Sequence, residues 1–405
     1  MVPAAMWLAI LAAGAANIGT NVHLPPADTL DLAVDLGGQW IRIDLNWDLA
    51  EPAENQWNWA PFDAVIDGAK ARGLRVYATL AYTPAWASTG NRRGDGNNND
   101  VPDAAKYRAF IEAAVARYKT KVDVFGTWNE PNLADFFEGS RTEWIDSVYT
   151  PAVLGIRAQC PTCTIAGPEV ATIGSVYGEY VQAALAAQPP TILSAHIYAA
   201  FPEDDSSAGV TKDSFYNKLD KRRVIGPWSG PLSIREAQIA AGQASLPVWI
   251  TETGEQSPVD DAAKLETQRL YYQRVLDAMD SRPWWGGTIF YEMSEEHPNG
   301  MWPDIHWGIA LRTSDPDATP LDDFQVKPAY SYLKTRLAQT PVADDAGVTN
   351  DAGGGGGPGL GNDAGTGEDP QGSPSGCGCG ATPDPADMPL VIGVAGVLLG
   401  RRRRR

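Results

Sequence analysis

The chain has 405 residues, enough for one barrel of about 300 residues with a tail. Its formal net charge of −18 and pI near 4.6 argue against nucleic acid, whose phosphates such a surface would repel. Neutral polysaccharide stays open, and 14 Trp with 14 Tyr supply aromatic faces that either fill a core or lie against the C–H faces of sugars.

In chain order, the short apolar run 6–13 followed by Gly14, Ala15 and Ala16 reads as a secretory signal peptide over 1–16, although no Lys or Arg precedes it. From Asn17 a strand-then-helix rhythm begins and repeats eight times. Strand one is expected over 18–23 with a helix over 28–36. Strand two, 40–45, alternates so that Ile41 and Ile43 share one face while Arg42 and Asp44 share the other. A helix over 61–72 opens with Pro61 and stops at Gly73. Strand three is 74–80. The Asn/Gly/Asp-rich stretch 91–100 reads as an exposed loop, and apolar residues at helical spacing predict a helix over 103–119.

Strand four is the short run Val122-Asp123-Val124-Phe125, ending in Trp128-Asn129-Glu130-Pro131, where Pro131 forbids a longer ladder. A helix over 141–159, strand five over 163–167 and a helix over 176–187 follow. Strand six, 192–198, contains His196 and Tyr198. The crossover 199–245 is the longest in the domain and includes a helical piece near 231–241. Strand seven ends in Thr251-Glu252-Thr253-Gly254, and a helix over 261–279, strand eight over 287–291 and a helix over 328–338 close the ring. Eight such units predict an α/β fold, a (β/α)8 barrel over 17–340.

Past Pro341 the composition changes. Residues 341–387 are dominated by Gly, Pro, Asp and Ala and read as a flexible spacer. An apolar run from 388 to 400 and Arg401 to Arg405 follow. The run is short for a roughly 30 Å hydrocarbon core, but the Arg block has the sign of a cytoplasmic end. Cys160-Pro-Thr-Cys163 and Cys377-Gly-Cys379 hold the four cysteines, without a second zinc-type CxxC or a His-rich partner. In an exported chain, Cys160 and Cys163 read as a local disulfide or two free thiols. His23, His196, His297 and His306 lack ligand spacing, so no metal and no cofactor is expected.

Two glutamates at the ends of parallel strands, Glu130 and Glu252, are what glycoside hydrolysis requires. With Arg42 and Trp47 around strand two, His196 and Tyr198 on strand six, and Val326-Lys327-Pro328-Ala329-Tyr330 opening the last helix, residues 17–338 resemble glycoside hydrolase clan A. Families 39 and 5 are the nearest, and Tyr291-Glu292-Met293 followed by Trp307-Gly308 leans toward the former. The strand-eight Trp of many family 5 cellulases is missing, with Tyr291 in that region instead. The resemblance implies that Glu130 is the acid/base, that Glu252 is the nucleophile, and that Asn129 bonds the sugar 2-hydroxyl.

Physical chemistry supports that division. Trp128 and the like charge of Glu252 would raise the Glu130 pKa, while Arg42 and the Tyr198 hydroxyl would keep Glu252 ionised. His196 reads as orienting Glu252, contacting sugar, or as a buried structural histidine. Trp47, Trp86, Trp302 and Trp307 on strand-end loops are candidate sugar platforms, with Tyr291 beside them. Glu169, Glu292, Glu295 and Glu296 read as loop or subsite carboxyls. Aromatics on several loops favour an endo-acting β-glycanase. The alternatives are an exo-acting, β-xylosidase-like enzyme and a non-catalytic carbohydrate-binding barrel, and a metal-dependent hydrolase lacks its ligands. The tail resembles the sorting signals of myxobacterial surface proteins, which implies export, contact with membrane and sorting machinery, and secretion or surface display of a monomer.

Overall fold

A computed structural model of the chain describes residues 17–90, 96–201, 214–225, 227–295, 306–313 and 320–339. The expected signal peptide, spacer and sorting tail lie outside the described residues, as do Trp302, His297, Glu296, Cys377 and Cys379. Among the described residues no helix is long and apolar enough to cross a membrane.

Eight strands close into a parallel barrel: β1 (Ile18–Asn21), β2 (Trp40–Asn46), β3 (Arg75–Ala81), β4 (Val124–Gly126), β5 (Thr164–Ala171), β6 (Ile192–His196), β7 (Val248–Glu252) and β8 (Trp285–Phe290). Their order follows the sequence around the ring, with β8 bonded to β1. Each strand is buried on both faces, one against the barrel interior and one against the helices, which is why most read as short runs of Val, Ile, Leu and Ala. Trp40, Tyr77, Val124, Ala166, Ile192, Trp249 and Ile289 form a buried cluster contributed by seven strands. Trp40 and Trp249 meet edge to face at 5.0 Å, filling the interior as a packed core.

Register decides which side chains meet above that core. Arg42 lies level with Asn21 on β1 and Tyr77 on β3, Asp44 with Thr79, and His196 with Glu252. Gly126 is where β4 must have no side chain, since a Cβ there would stand 1.9 Å from Glu169 Oε1 and 3.0 Å from the Tyr77 ring. The β5 ladder slips between Pro168 and Val170. Pro168 has no N–H to donate, so the expected strand over 163–167 stops there, yet the chain resumes pairing to Ala171. Glu169 therefore sits within β5 rather than after it.

The crossover contains the helix Phe215–Leu219, a two-stranded hairpin and the helix Ile234–Ala240. A small sheet of Ser294–Glu295, Ala310–Arg312 and Phe324–Val326 follows β8, and the helix Pro328–Ala338 begins where expected. Lys327, just before that helix, is buried and bonds Ser257 O at 2.6 Å and the Glu295 carboxylate. Glu295 also meets His306 at 3.1 Å, so its carboxyl is a structural tie. Cys160 and Cys163 are joined in a disulfide.

Candidate active site

Arg42 is the hub. Its guanidinium, 1% exposed, donates through Nη1 to Asn21 Oδ1 and Glu252 Oε1, both at 2.8 Å. Through Nη2 it donates to Asn129 Oδ1 at 3.0 Å and Glu169 Oε2 at 2.6 Å. A fixed planar fork suits this arrangement, holding carboxylates from β5 and β7 and an amide from the β4 end on one rigid ion. Glu169 also accepts from the Tyr77 hydroxyl at 2.7 Å and Thr79 Oγ1 at 3.2 Å, and its backbone carbonyl accepts the Glu130 N–H at 3.0 Å.

Glu252 accepts a second bond from the Tyr198 hydroxyl at 2.9 Å. Burial raises its pKa, and Arg42 and Tyr198 limit the rise so that it stands at about 6. Glu130 has no such donors. Burial, then the Glu252 charge, pushes its carboxyl well above the usual range against the opposing pull of Arg42. His196 Nδ1 lies 2.9 Å from Glu130 Oε1 and 3.5 Å from Glu252 Oε2, so of the roles open to it, orienting Glu252, contacting sugar or holding structure, its nearer contact is to a different carboxyl, Glu130. Burial and then Arg42 hold its ring pKa well below the ordinary value, so the ring that meets Glu130 Oε1 is a neutral imidazole. Glu130 Oε2 and His196 Nε2 are buried without protein partners, and such atoms call for a functional explanation.

The backbone is strained at the same place. His23, Trp128, Glu130 and Glu169 all take positive φ, at 55°, 124°, 42° and 55°. Each such position costs about 1–3 kcal/mol, and clusters of them mark functional sites. Trp128 is fully buried, its indole N–H donating to Phe136 O at 3.0 Å and its ring edge-on to Tyr82 and Tyr107, so it anchors the turn that presents Glu130.

Asn129, Arg42, His196, Tyr198, Glu130 and Glu252 thus converge. Tyr291 joins them, its ring edge-on to Tyr198 and its hydroxyl 3.3 Å from His23 Nε2. Trp307, 6% exposed, packs edge-on against both tyrosines. Trp47 does not join. It has no exposed surface, stacks on Phe110 at 5.3 Å and donates its indole N–H to Glu51, so the platform expected there is a core residue. Trp86 is half-buried, with Lys106 over its ring and its N–H on Glu51 O. Residues that the strand pattern alone did not single out are Asn21, His23 and Asp44, of which Asp44 was visible two positions from Arg42 on the same strand face.

Glu130, His196 and Glu252 each offer a donor atom within 4.8 Å of the others. Arg42 already places a fixed cation on Glu252, so the set suits proton transfer better than a second cation.

Fold and site together define a (β/α)8 barrel with paired strand-end carboxyls in contrasting environments. No family model matches the chain. It is similar to a beta-glucosidase of Agrobacterium sp., 25% identical over 185 residues, 45% of this chain and 38% of that protein. It is also similar to a beta-xylosidase of Geobacillus stearothermophilus, 22% identical over 276 residues, 63% of this chain and 52% of that protein. The matches therefore span between about a third and a half of these relatives' own lengths. Among solved structures, a GH39 enzyme from Xanthomonas axonopodis pv. citri shares the fold with a TM-score of 0.58 at 19% identity, covering 81% of this chain and 67% of that one.

Proposed function

We propose that the chain is a retaining glycoside hydrolase of the clan A type, cleaving β-linked sugars by double displacement. One observation carries the reading: a carboxyl oxygen of Glu130 and one of Glu252 lie within 4.8 Å on the ends of β4 and β7, one carboxyl meeting only His196 and the other held by Arg42 and Tyr198. That approach fits the roughly 5–5.5 Å of retaining pairs rather than the roughly 6.5–9.5 Å of inverting ones. In the first step Glu252 attacks the anomeric carbon while Glu130 passes its proton, through the unpartnered Oε2, to the leaving oxygen. The glycosyl bond to Glu252 is then cleaved by water whose proton returns to Glu130. Asn129, its amide oxygen fixed by Arg42, keeps an N–H to offer the sugar 2-hydroxyl.

The expectation of endo action rested on aromatics spread over several loops. Trp47 is core and Trp86 is occupied by Lys106, which favours the second reading, an exo-acting β-glycosidase. The likeness to a beta-glucosidase and a beta-xylosidase supports it. Both carboxyls come from one chain, so the chemistry needs no residue of a second copy. The Cys160–Cys163 disulfide and the signal-like first residues support export.

Replacing Glu252 by Ala abolishes turnover. Glu130→Ala lowers kcat about 10²–10⁴-fold on unactivated leaving groups, and azide converts activated substrates to the β-glycosyl azide in that variant. Full activity of Glu130→Ala on an unactivated substrate refutes the assignment.

A further inference from the structure

Beside the paired glutamates stands a second charged cluster that the double displacement does not use. His23 follows β1, Asp44 lies on β2 and Glu292 follows β8, and these three strands are neighbours in the ring. His23 Nδ1 is 2.6 Å from Asp44 Oδ2, and Nε2 is 3.4 Å from Glu292 Oε2. Each ring nitrogen faces a carboxylate, so the ring is an imidazolium. Burial opposes that charge, but Asp44 and Glu292 outweigh it and hold the pKa at about 10.

The cluster adjoins the reacting centre. Tyr291 packs edge-on against His23 at 5.5 Å and against Tyr198 at 6.3 Å, and Tyr198 bonds Glu252. Exposure separates this ion pair from the structural one at Arg42. Glu169 is sealed at 0%, whereas the side chains of His23, Asp44 and Glu292 keep 23%, 14% and 20% of their surface. A purely structural triad would not need that open surface, and open carboxylates accept hydrogen bonds from whatever occupies the space.

We infer that Asp44 and Glu292, held apart by His23, form the wall that selects the glycone: they take hydroxyl donors of a neutral sugar and reject uronides. The inference rests on the glycosidase reading and names its substrate class. Charge makes the argument. Among the described residues, five carboxyls (Asp44, Glu130, Glu169, Glu252 and Glu292) surround two cations. Each cation is already shared, Arg42 between Glu169 and Glu252 and His23 between Asp44 and Glu292. A sugar carboxylate would therefore meet like charge with no cation left to receive it, while sugar hydroxyls meet charged acceptors, which make the stronger class of hydrogen bond. His23 is a positioning residue here, since without it the two carboxylates would repel.

The test compares kcat/KM for 4-nitrophenyl β-xyloside, β-glucoside and β-glucuronide in the full chain and in Glu292→Gln and Asp44→Asn, with melting curves confirming folded variants. The wild type should prefer a neutral glycoside to the glucuronide by at least about 100-fold. Each variant should lose about 10- to 100-fold on the neutral substrate and narrow the gap to the glucuronide, because one repelling charge is gone. A merely structural role would lower all three substrates alike. Glucuronide turnover within tenfold of the neutral glycosides, or an unchanged gap in both variants, overturns the inference. If no glycoside is cleaved, the glycosidase reading fails and calorimetry with methyl β-xyloside and methyl β-glucuronide decides separately. Xyloside-selective binding weakened in the variants upholds the inference, and absent or unselective binding overturns it.

Discussion

At the scale of single residues, the site works by giving two chemically identical side chains different neighbours. Glu252 receives Arg42 and Tyr198, whereas Glu130 receives only His196 and the negative field of Glu252 and Glu169. The pH profile of kcat/KM should therefore be a bell whose limbs belong to the pair. Activity rises as Glu252 ionises near pH 6 and falls when Glu130 loses its proton at higher pH. Replacing Arg42 by Gln removes the cation that favours ionised Glu252, so the acid limb should move to higher pH and kcat should fall. An acid limb that stays in place contradicts the role of Arg42. His23 gives a stability signature of opposite sign. Its folded pKa of about 10 exceeds the ordinary 6.5, so the folded protein binds the extra proton. That contribution is complete below about pH 6.5 and is lost as pH rises through 10. Denaturant midpoints of the wild type should fall across this window more than those of His23→Gln, and parallel curves would refute the charged triad.

At the scale of elements, strand register brings the charges together, and one missing side chain makes room for them. Gly126→Ala on β4 should destabilise the fold by about 1–3 kcal/mol, because the added methyl meets Glu169 and Tyr77. Equilibrium unfolding checks this, and an unchanged midpoint would show that the carboxyl has space to move. The same elements explain what was legible beforehand. The alternation of β2 showed Arg42 and Asp44 on one face, and Pro131 marked the turn that carries Glu130. Glu169 reads as following strand five because Pro168 looks like a strand end, while the ladder slips at Pro168 and continues. His23 falls inside the expected strand 18–23 but stands just past β1 with positive φ, a turn that residue spacing does not show. The small sheet after β8 has strands of two or three residues, too short for alternation to register. Trp47 reads as a platform because sequence does not distinguish a buried indole from one facing solvent, and in the fold it is buried.

At the scale of the whole molecule, the eight-fold count is readable because strand and helix periods alternate along the chain, and the ring closes as counted. We place the boundary of the working domain near Pro341, where the last helix, ending at Ala338, has already packed. A chain ending there should unfold cooperatively and keep its kcat, and loss of either would mean that the remaining segment completes the fold. The central claim is that the Glu130 and Glu252 carboxyls, with oxygens within 4.8 Å, act through a covalent glycosyl intermediate. Proton NMR of the first sugar released from an aryl β-glycoside, recorded before mutarotation, tests this most directly. The account predicts the β-anomer, and the α-anomer as first product would contradict it.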